Sequence, residues 1–245
     1  MLKKTKIFII LLIILIIFIA GYFYYNYQEQ KFEIIFFNVG QGDSALINLP
    51  GDNEILIDGG PDATVLYKLG KYLPVYNRDI ELMILTHPHA DHITGLNFVL
   101  DRYKVEQVMH TGVQYDSSEY EEFIKALENL KIKLLNLENI QLDKNNLLEI
   151  IYPQEDISQK EFDDVNDASI VFRLVTNSGD KILFTGDISA NVEQQILKQI
   201  SSQNLDANIL KIAHQGSITS SGENFLNAVN PKWAVVSVGE NKFGH

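Results

Sequence analysis

The stretch "ILTHPHADHITG", residues 84–95, decides how the rest of the chain is to be read. Three of the six histidines fall in it, at His87, His89 and His92, with Asp91 beside them. An apolar run feeds straight into this polar cluster, as at the end of a buried strand. In extended backbone, residues i and i+2 point the same way, so His87 and His89 leave the strand end on one side. Pro88 holds the chain extended between them and denies a helix there. Asp91 and His92 come one turn later, where a new helix starts, and can point back into the same space. Three imidazoles and one carboxylate are enough for two neighbouring borderline metals such as zinc. The plain alternative is a polar loop whose histidines satisfy backbone groups.

Upstream of this stretch the pattern has period two. Residues 31–39, 44–49 and 54–60 predict three strands joined by the turns "GQGD" (40–43) and "PGDN" (50–53), an antiparallel meander. Residues 63–73 predict a helix, 79–87 the buried strand that carries the histidines, 93–103 a helix and 105–111 a strand. Ser117 opens a helix over 117–130, followed by a strand at 131–137. The second half repeats the logic: strands at 147–153, 168–176 and 181–187, a helix at 191–200, a strand at 207–214, a helix at 223–229 and a strand at 232–239. Residues 154–167, "QEDISQKEFDDVND", predict a long acidic loop of the kind that tends to serve function. Two half-domains of this kind fit an α/β (α+β) arrangement, two mixed sheets face to face with helices outside.

Two more strand ends deliver chemistry. "ILFTGD" (182–187) presents Asp187 after a glycine turn, where it serves either as a ligand or as an N-cap for the next helix. "NILKIAHQG" (208–216) presents His214. With no cysteine in the chain, disulfides and thiolate ligands are excluded, so imidazole and carboxylate must hold any metal.

Residues 7–25, "IFIILLIILIIFIAGYFYY", carry no charge. Nineteen residues at about 1.5 Å each just span a hydrocarbon core. Lys3, Lys4 and Lys6 precede them, so residues 1–6 read as a cytoplasmic basic stub, 7–25 as a transmembrane anchor and 26–31 as a linker. Residues 32–245 form one extracytoplasmic domain. A cleaved signal is the alternative, and the long run ending in bulky aromatics favours the uncleaved anchor. With the three leading lysines set aside, the 20 basic residues fall to 17 against 32 acidic ones. Such a surface disfavours a tight nucleic-acid binder, whose affinity comes largely from neutralising phosphates.

These stretches in their order resemble a known family. "FFNVGQGDSALI" (36–47), "ILIDGG" (55–60), "LTHPHADHITGL" (85–96), "NDASIVFRL" (166–174), "ILFTGDI" (182–188), "LKIAHQGSITSS" (210–221) and "VVSVGENKFGH" (235–245) are similar to the metallo-β-lactamase superfamily, and among its members to the hydrolase domain of ComEC-like competence proteins. The resemblance implies an αββα sandwich with a dinuclear site at one edge, holding two divalent ions, zinc or manganese. It makes His87 and His89 ligands of one ion, Asp91, His92 and His214 ligands of the other, and Asp187 the bridge. His110 is a weak candidate for a further ligand. Asp91 and Asp187 would then be catalytic. Asp43, Asp58, Asn166 and Ser169 support the site. Lys211, Gln215, Ser217 and His245 are candidates to meet substrate.

Two close dications acidify a shared water, and the resulting hydroxide attacks a phosphoester. Asp91 orients the nucleophile or accepts its proton. The implied activity is phosphodiester hydrolysis, on DNA or on a cell-envelope phosphodiester such as a phosphorylcholine ester. The acidic charge leans away from nucleic acid. A carboxyl-ester or lactone hydrolase on the same site, and a metal-stabilised binding module without turnover, are the alternatives. One departure stands out: the family's "AHHGS" is "AHQGS" here, with Gln215 for the second histidine. Glutamine neither relays protons as imidazole does nor binds zinc well.

Overall fold

Alternation of side chains along the meander builds the first layer. Leu46 and Leu56 pack toward helices, while Ile47, Ile55 and Ile57 face the opposite way into a second apolar cluster. Strands β1 (Glu33–Phe36), β2 (Ala45–Leu49) and β3 (Asn53–Ile57) pair antiparallel. Strands β4 (Asp79–Ile84), β5 (Lys104–Met109) and β6 (Lys133–Leu135) extend the sheet in parallel. The computed structural model describes residues 2–28, 32–51, 53–201 and 204–241.

Parallel neighbours need crossovers, and helices supply them. They are α2 (Thr64–Tyr72), α3 (Ala90–Leu100) and α4 (Ser118–Leu130). The Ser117 hydroxyl caps α4 by accepting the Tyr120 N–H at 3.2 Å. The second sheet repeats the design. β7 (Ile140–Gln141), β8 (Leu147–Tyr152), β9 (Val171–Val175) and β10 (Lys181–Phe184) are antiparallel, and β11 (Ile209–Lys211) and β12 (Trp233–Val235) add in parallel through α5 (Ala190–Gln199) and α6 (Glu223–Val229).

The core lies in three layers. Between the sheets, Ile47, Ile57 and Ile84 meet Ile170, Phe172 and Phe184. The rings of the cross-strand pair Phe172 and Phe184 stack at 4.8 Å. Outside, α2 to α4 cover the first sheet and α5 and α6 the second. This is the expected αββα sandwich.

The differences lie at element ends. The strands stop three residues early, at Ile84, Phe184 and Lys211, so the polar residues sit in the loops beyond them. Helix α3 begins at Ala90 rather than at 93, which places Asp91 and His92 on its first turn. β7 had no periodic signal. Residues 154–167 are irregular until a 3₁₀ turn at Val165–Ala168.

Helix α1 (Leu2–Gln28) runs through 26–28, part of the expected linker; residues 29–31 lie outside the described residues. Its stretch Lys4–Tyr22 is long and apolar enough to cross a membrane, with mean hydropathy 2.7, and none of it is buried within the chain.

Candidate metal centre

Three strand ends meet at one edge of the sandwich, and at that edge two glycines let α3 start directly on the turn after β3. The Gly59 N–H donates to the His92 carbonyl at 2.7 Å, and the Gly95 N–H to the Gly60 carbonyl at 2.9 Å. A Cβ on Gly95 would lie 1.9 Å from the Gly59 oxygen, and one on Gly59 would lie 2.3 Å from the Leu96 nitrogen. Only glycine at both positions permits this approach, and it delivers Asp58 to His92.

Asp58 is 1% exposed and fully engaged. One oxygen accepts the Thr86 N–H at 2.8 Å. The other accepts the Thr86 hydroxyl at 2.7 Å and lies 2.9 Å from His92 Nδ1. A carboxylate on Nδ1 fixes the ring and turns Nε2 into the site. That Nε2 lies 3.3 Å from Asp187 Oδ2 and 3.9 Å from Asp91 Oδ2. His87 is fully buried, its ring centroid 4.1 Å from that of His92, and its Nε2 is 3.2 Å from His89 Nδ1. His89 and Asp91 are half-buried on the open side.

Donor atoms of His87, His92 and Asp187 lie within 4.8 Å of one another. His92 Nε2, although 3.3 Å from Asp187 Oδ2, and Asp187 Oδ1 are buried without a hydrogen bond of normal geometry. Buried polar atoms without partners are costly and call for an explanation, and an imidazole–carboxylate set around orphaned donors fits a divalent ion such as zinc. Asp43, Asp58 and His92 also converge. There, however, Asp58 is saturated and Asp43 Oδ2 is paired with Lys211 Nζ at 2.7 Å, so that group is structural.

The electrostatics match. Burial opposes charge on His92, but the Asp187 and Asp58 carboxylates outweigh it and hold the imidazole well above its ordinary pKa. Burial and the neighbouring His92 push His87 well below. For Asp187, burial is overcome by His92 and the surrounding cations, and its carboxyl is held far below the carboxylate range.

Asp187 is not an N-cap. Ser189 caps α5, accepting the Asn191 N–H at 3.3 Å. The Asp187 N–H instead donates to Ser169 Oγ at 3.0 Å, and that hydroxyl donates to the Asn166 carbonyl at 2.7 Å. Both candidates thus stand behind the aspartate rather than on substrate.

Lys211 does not face substrate. It is 3% exposed, and its ammonium is held by Asp43 and by the Ile212 carbonyl at 2.8 Å. His110 does not join the cluster. It sits past the end of β5, with its ring edge-on to Phe123 at 6.0 Å, and burial lowers its pKa to about 4.

His214 is half-buried at φ 48° and stands 3.4 Å from Thr219 Oγ1, whose oxygen is 2.9 Å from that of Ser217. It is near enough to lower the His87 pKa, but lies outside the 4.8 Å set. Its neighbour Gln215, at φ 55° and 3% exposed, turns inward and places Nε2 2.6 Å from Asp91 Oδ2 and 3.4 Å from Asp187 Oδ2. Two successive left-handed residues without glycine cost about 1–2 kcal/mol each, and such strain clusters at functional sites. His245 lies outside the described residues.

Three residues here carried no expectation. Thr86 ties Asp58 to the strand end. Gln41 donates from Nε2 to Gln215 Oε1. Tyr115 sets its ring edge-on to His89 at 5.6 Å. Thr86 and Gln41 lie within stretches already singled out, but their types suit a strand end and a turn equally well.

The model of the metallo-β-lactamase superfamily matches residues 37–240. The chain belongs to this superfamily. Among curated proteins, ComE operon protein 3 of Bacillus subtilis (strain 168) is 26% identical over 233 residues, covering 87% of this chain and 29% of that protein. Competence protein ComA of Neisseria gonorrhoeae is 27% identical over 215 residues, covering 86% and 28%. The chain therefore spans under a third of these ComEC-like relatives. Among solved structures, the metallo-β-lactamase fold protein YhfI from Bacillus subtilis shares the fold with a TM-score of 0.52 at 16% identity, covering 86% of this chain and 88% of that one.

Proposed function

We propose that the chain is a metal-dependent phosphodiesterase, anchored by α1 with its N-terminus inside and its hydrolase domain outside the membrane. The carrying observation is the convergence of His87, His92 and Asp187 around the orphaned atoms His92 Nε2 and Asp187 Oδ1. His87, His89 and Asp187 would hold one divalent ion, and Asp91, His92 and Asp187 a second, with His214 at its margin. Zinc suits these donors and manganese is the alternative. Bound there, the ions would acidify a water to serve as nucleophile and stabilise charge developing on the phosphoryl oxygens.

The chain's own residues do the rest. Asp58 holds His92 in its tautomer and orientation. Ser169 fixes the backbone of Asp187. Asp91, on the solvent side of the cluster, would orient the nucleophile and take its proton.

Two cavities border residues of the site, one through Tyr115, which stands edge-on to His89, and one through His214. One, of about 660 Å³, is lined by Tyr115, Tyr120 and Phe162 with Asp116 and Glu161. The other, of about 1010 Å³, is lined by His214 and Thr219 with Asp163, Asp164 and Asp167. Acidic mouths repel a polyanion. Aromatic faces beside carboxylates suit a quaternary ammonium. A cell-envelope phosphodiester such as a phosphorylcholine ester is therefore the favoured substrate, ahead of DNA.

The test uses the full chain in detergent with bis(p-nitrophenyl) phosphate, p-nitrophenylphosphorylcholine and single-stranded DNA, beside Asp187→Asn. Turnover of the choline ester that requires metal and disappears in the variant is the expected result. Faster cleavage of DNA reverses the substrate assignment. Turnover of p-nitrophenyl acetate or a lactone alone moves the site to carboxyl esters, and bound metal without turnover of any substrate leaves a binding module.

A further inference from the structure

Two glutamines close the carboxylate side of the site. Gln215 Nε2 donates to Asp91 Oδ2 at 2.6 Å and to Asp187 Oδ2 at 3.4 Å. Gln215 Oε1 accepts from Gln41 Nε2. Gln41 Oε1 accepts in turn the Gly239 N–H at 3.1 Å and Asn241 Nδ2 at 3.0 Å.

The direction of this chain follows from its far end. A backbone N–H can only donate. Gly239 therefore demands an oxygen from Gln41, which turns its nitrogen to Gln215. Gln215 must then present oxygen to Gln41 and nitrogen to the carboxylates. Ionised carboxylates accept only, so the near end requires the same sense. Close packing holds the frame: a Cβ on Gly239 would lie 2.4 Å from the Gln41 backbone nitrogen and 2.5 Å from the Gly40 carbonyl carbon.

We infer that Gln41 and Gln215 form a latch of fixed polarity across Asp91 and Asp187, and that the ion between those carboxylates enters in competition with the Gln215 amide. This rests on the metal-dependent reading above and deepens it, because it makes the two ions unequal. The ion at His87 and His89 meets imidazole nitrogens that face each other. The ion at Asp91 must break donor bonds to carboxylates, which are stronger than neutral ones. Turning the Gln215 oxygen inward instead would leave its N–H groups against those of Gln41. Both glutamines are positioning residues, and Gln41 acts only through Gln215.

The test strips the full chain in detergent with a chelator and titrates it with Zn²⁺ alone, following stoichiometry and melting temperature. The unaltered chain should take up one ion tightly and a second more weakly. Gln41→Glu offers oxygen to both neighbours, so it forces the Gln215 oxygen toward the ion. Gln41→Leu removes the polarity without adding charge. Gln215→Asn tolerates the left-handed backbone and withdraws the amide by one methylene. Each should tighten the second step selectively, by about 10- to 100-fold, the scale of one hydrogen bond to a charged group that no longer competes with the ion. A merely structural role predicts lower melting temperature and an unchanged ratio of the two steps. Two ions of equal affinity in the unaltered chain, or one ratio across all variants, overturns the latch and leaves the metal site standing. No bound ion at all overturns both.

Discussion

Replacing Lys211 by methionine keeps most of the side-chain length and removes its charge. Its Nζ sits 2.7 Å from Asp43 Oδ2, and both residues are nearly excluded from water, at 3% and 6% exposure. The other Asp43 oxygen is buried without a partner. Burial already raises the Asp43 pKa, and Lys211 is the largest opposing influence. Without it, the carboxyl does best to take up a proton. Protonating at pH 7 a group whose unfolded pKa is about 3.9 costs 1.36 kcal/mol per unit, or about 4 kcal/mol. This agrees with the about 3–5 kcal/mol expected for breaking a buried pair.

The sign follows from proton counts. The folded variant binds a proton that its unfolded state has released, so its stability falls as pH rises. The deficit should be about 4 kcal/mol at pH 7 and about 1.5 kcal/mol at pH 5. Urea denaturation of the full chain at both pH values measures it against the unaltered protein. Lys211→Met combined with Asp43→Asn should lose the pH dependence, and KM of Lys211→Met should not move. A raised KM with no pH-dependent deficit would refute the buried-pair account and return Lys211 to the substrate.

Asp58→Asn should weaken zinc binding about 10- to 100-fold, because His92 loses the carboxylate that orients it; equilibrium dialysis reads this directly, and unchanged affinity would count against that role. The carboxylates that hold the His92 imidazole above its ordinary pKa make zinc compete with a proton there, so zinc affinity should fall as pH is lowered, read from zinc titrations at several pH values. His110 has a folded pKa of about 4, below its unfolded value, so it lowers stability as pH falls from 6.5 toward 4. His110→Gln should remove up to about 3 kcal/mol of that acid-side loss while leaving zinc stoichiometry unchanged; loss of an ion would instead make it a ligand.

Residues 84–95 carried much of the answer because the physics there is local. Period-two alternation, Pro88 and a helix start suffice to aim His87, His89, Asp91 and His92 toward one space. The two-layer sandwich was legible for the same reason, since alternation and helical spacing are properties of short windows. Asp187 and His214 were nameable as strand ends, but which side chain turns inward depends on φ at 214 and 215, and there Gln215 turns toward the carboxylates. The pairing of Lys211 with Asp43 joins the two sheets across 168 positions and leaves no trace in the spacing of either residue. Likewise Gln41, in what reads as a turn, acquires a role only because Gly239 packs against it. Local sequence sets the direction of a side chain along its own element. Which group occupies its polar atoms is decided by burial, where every donor and acceptor must find a partner wherever in the chain it lies.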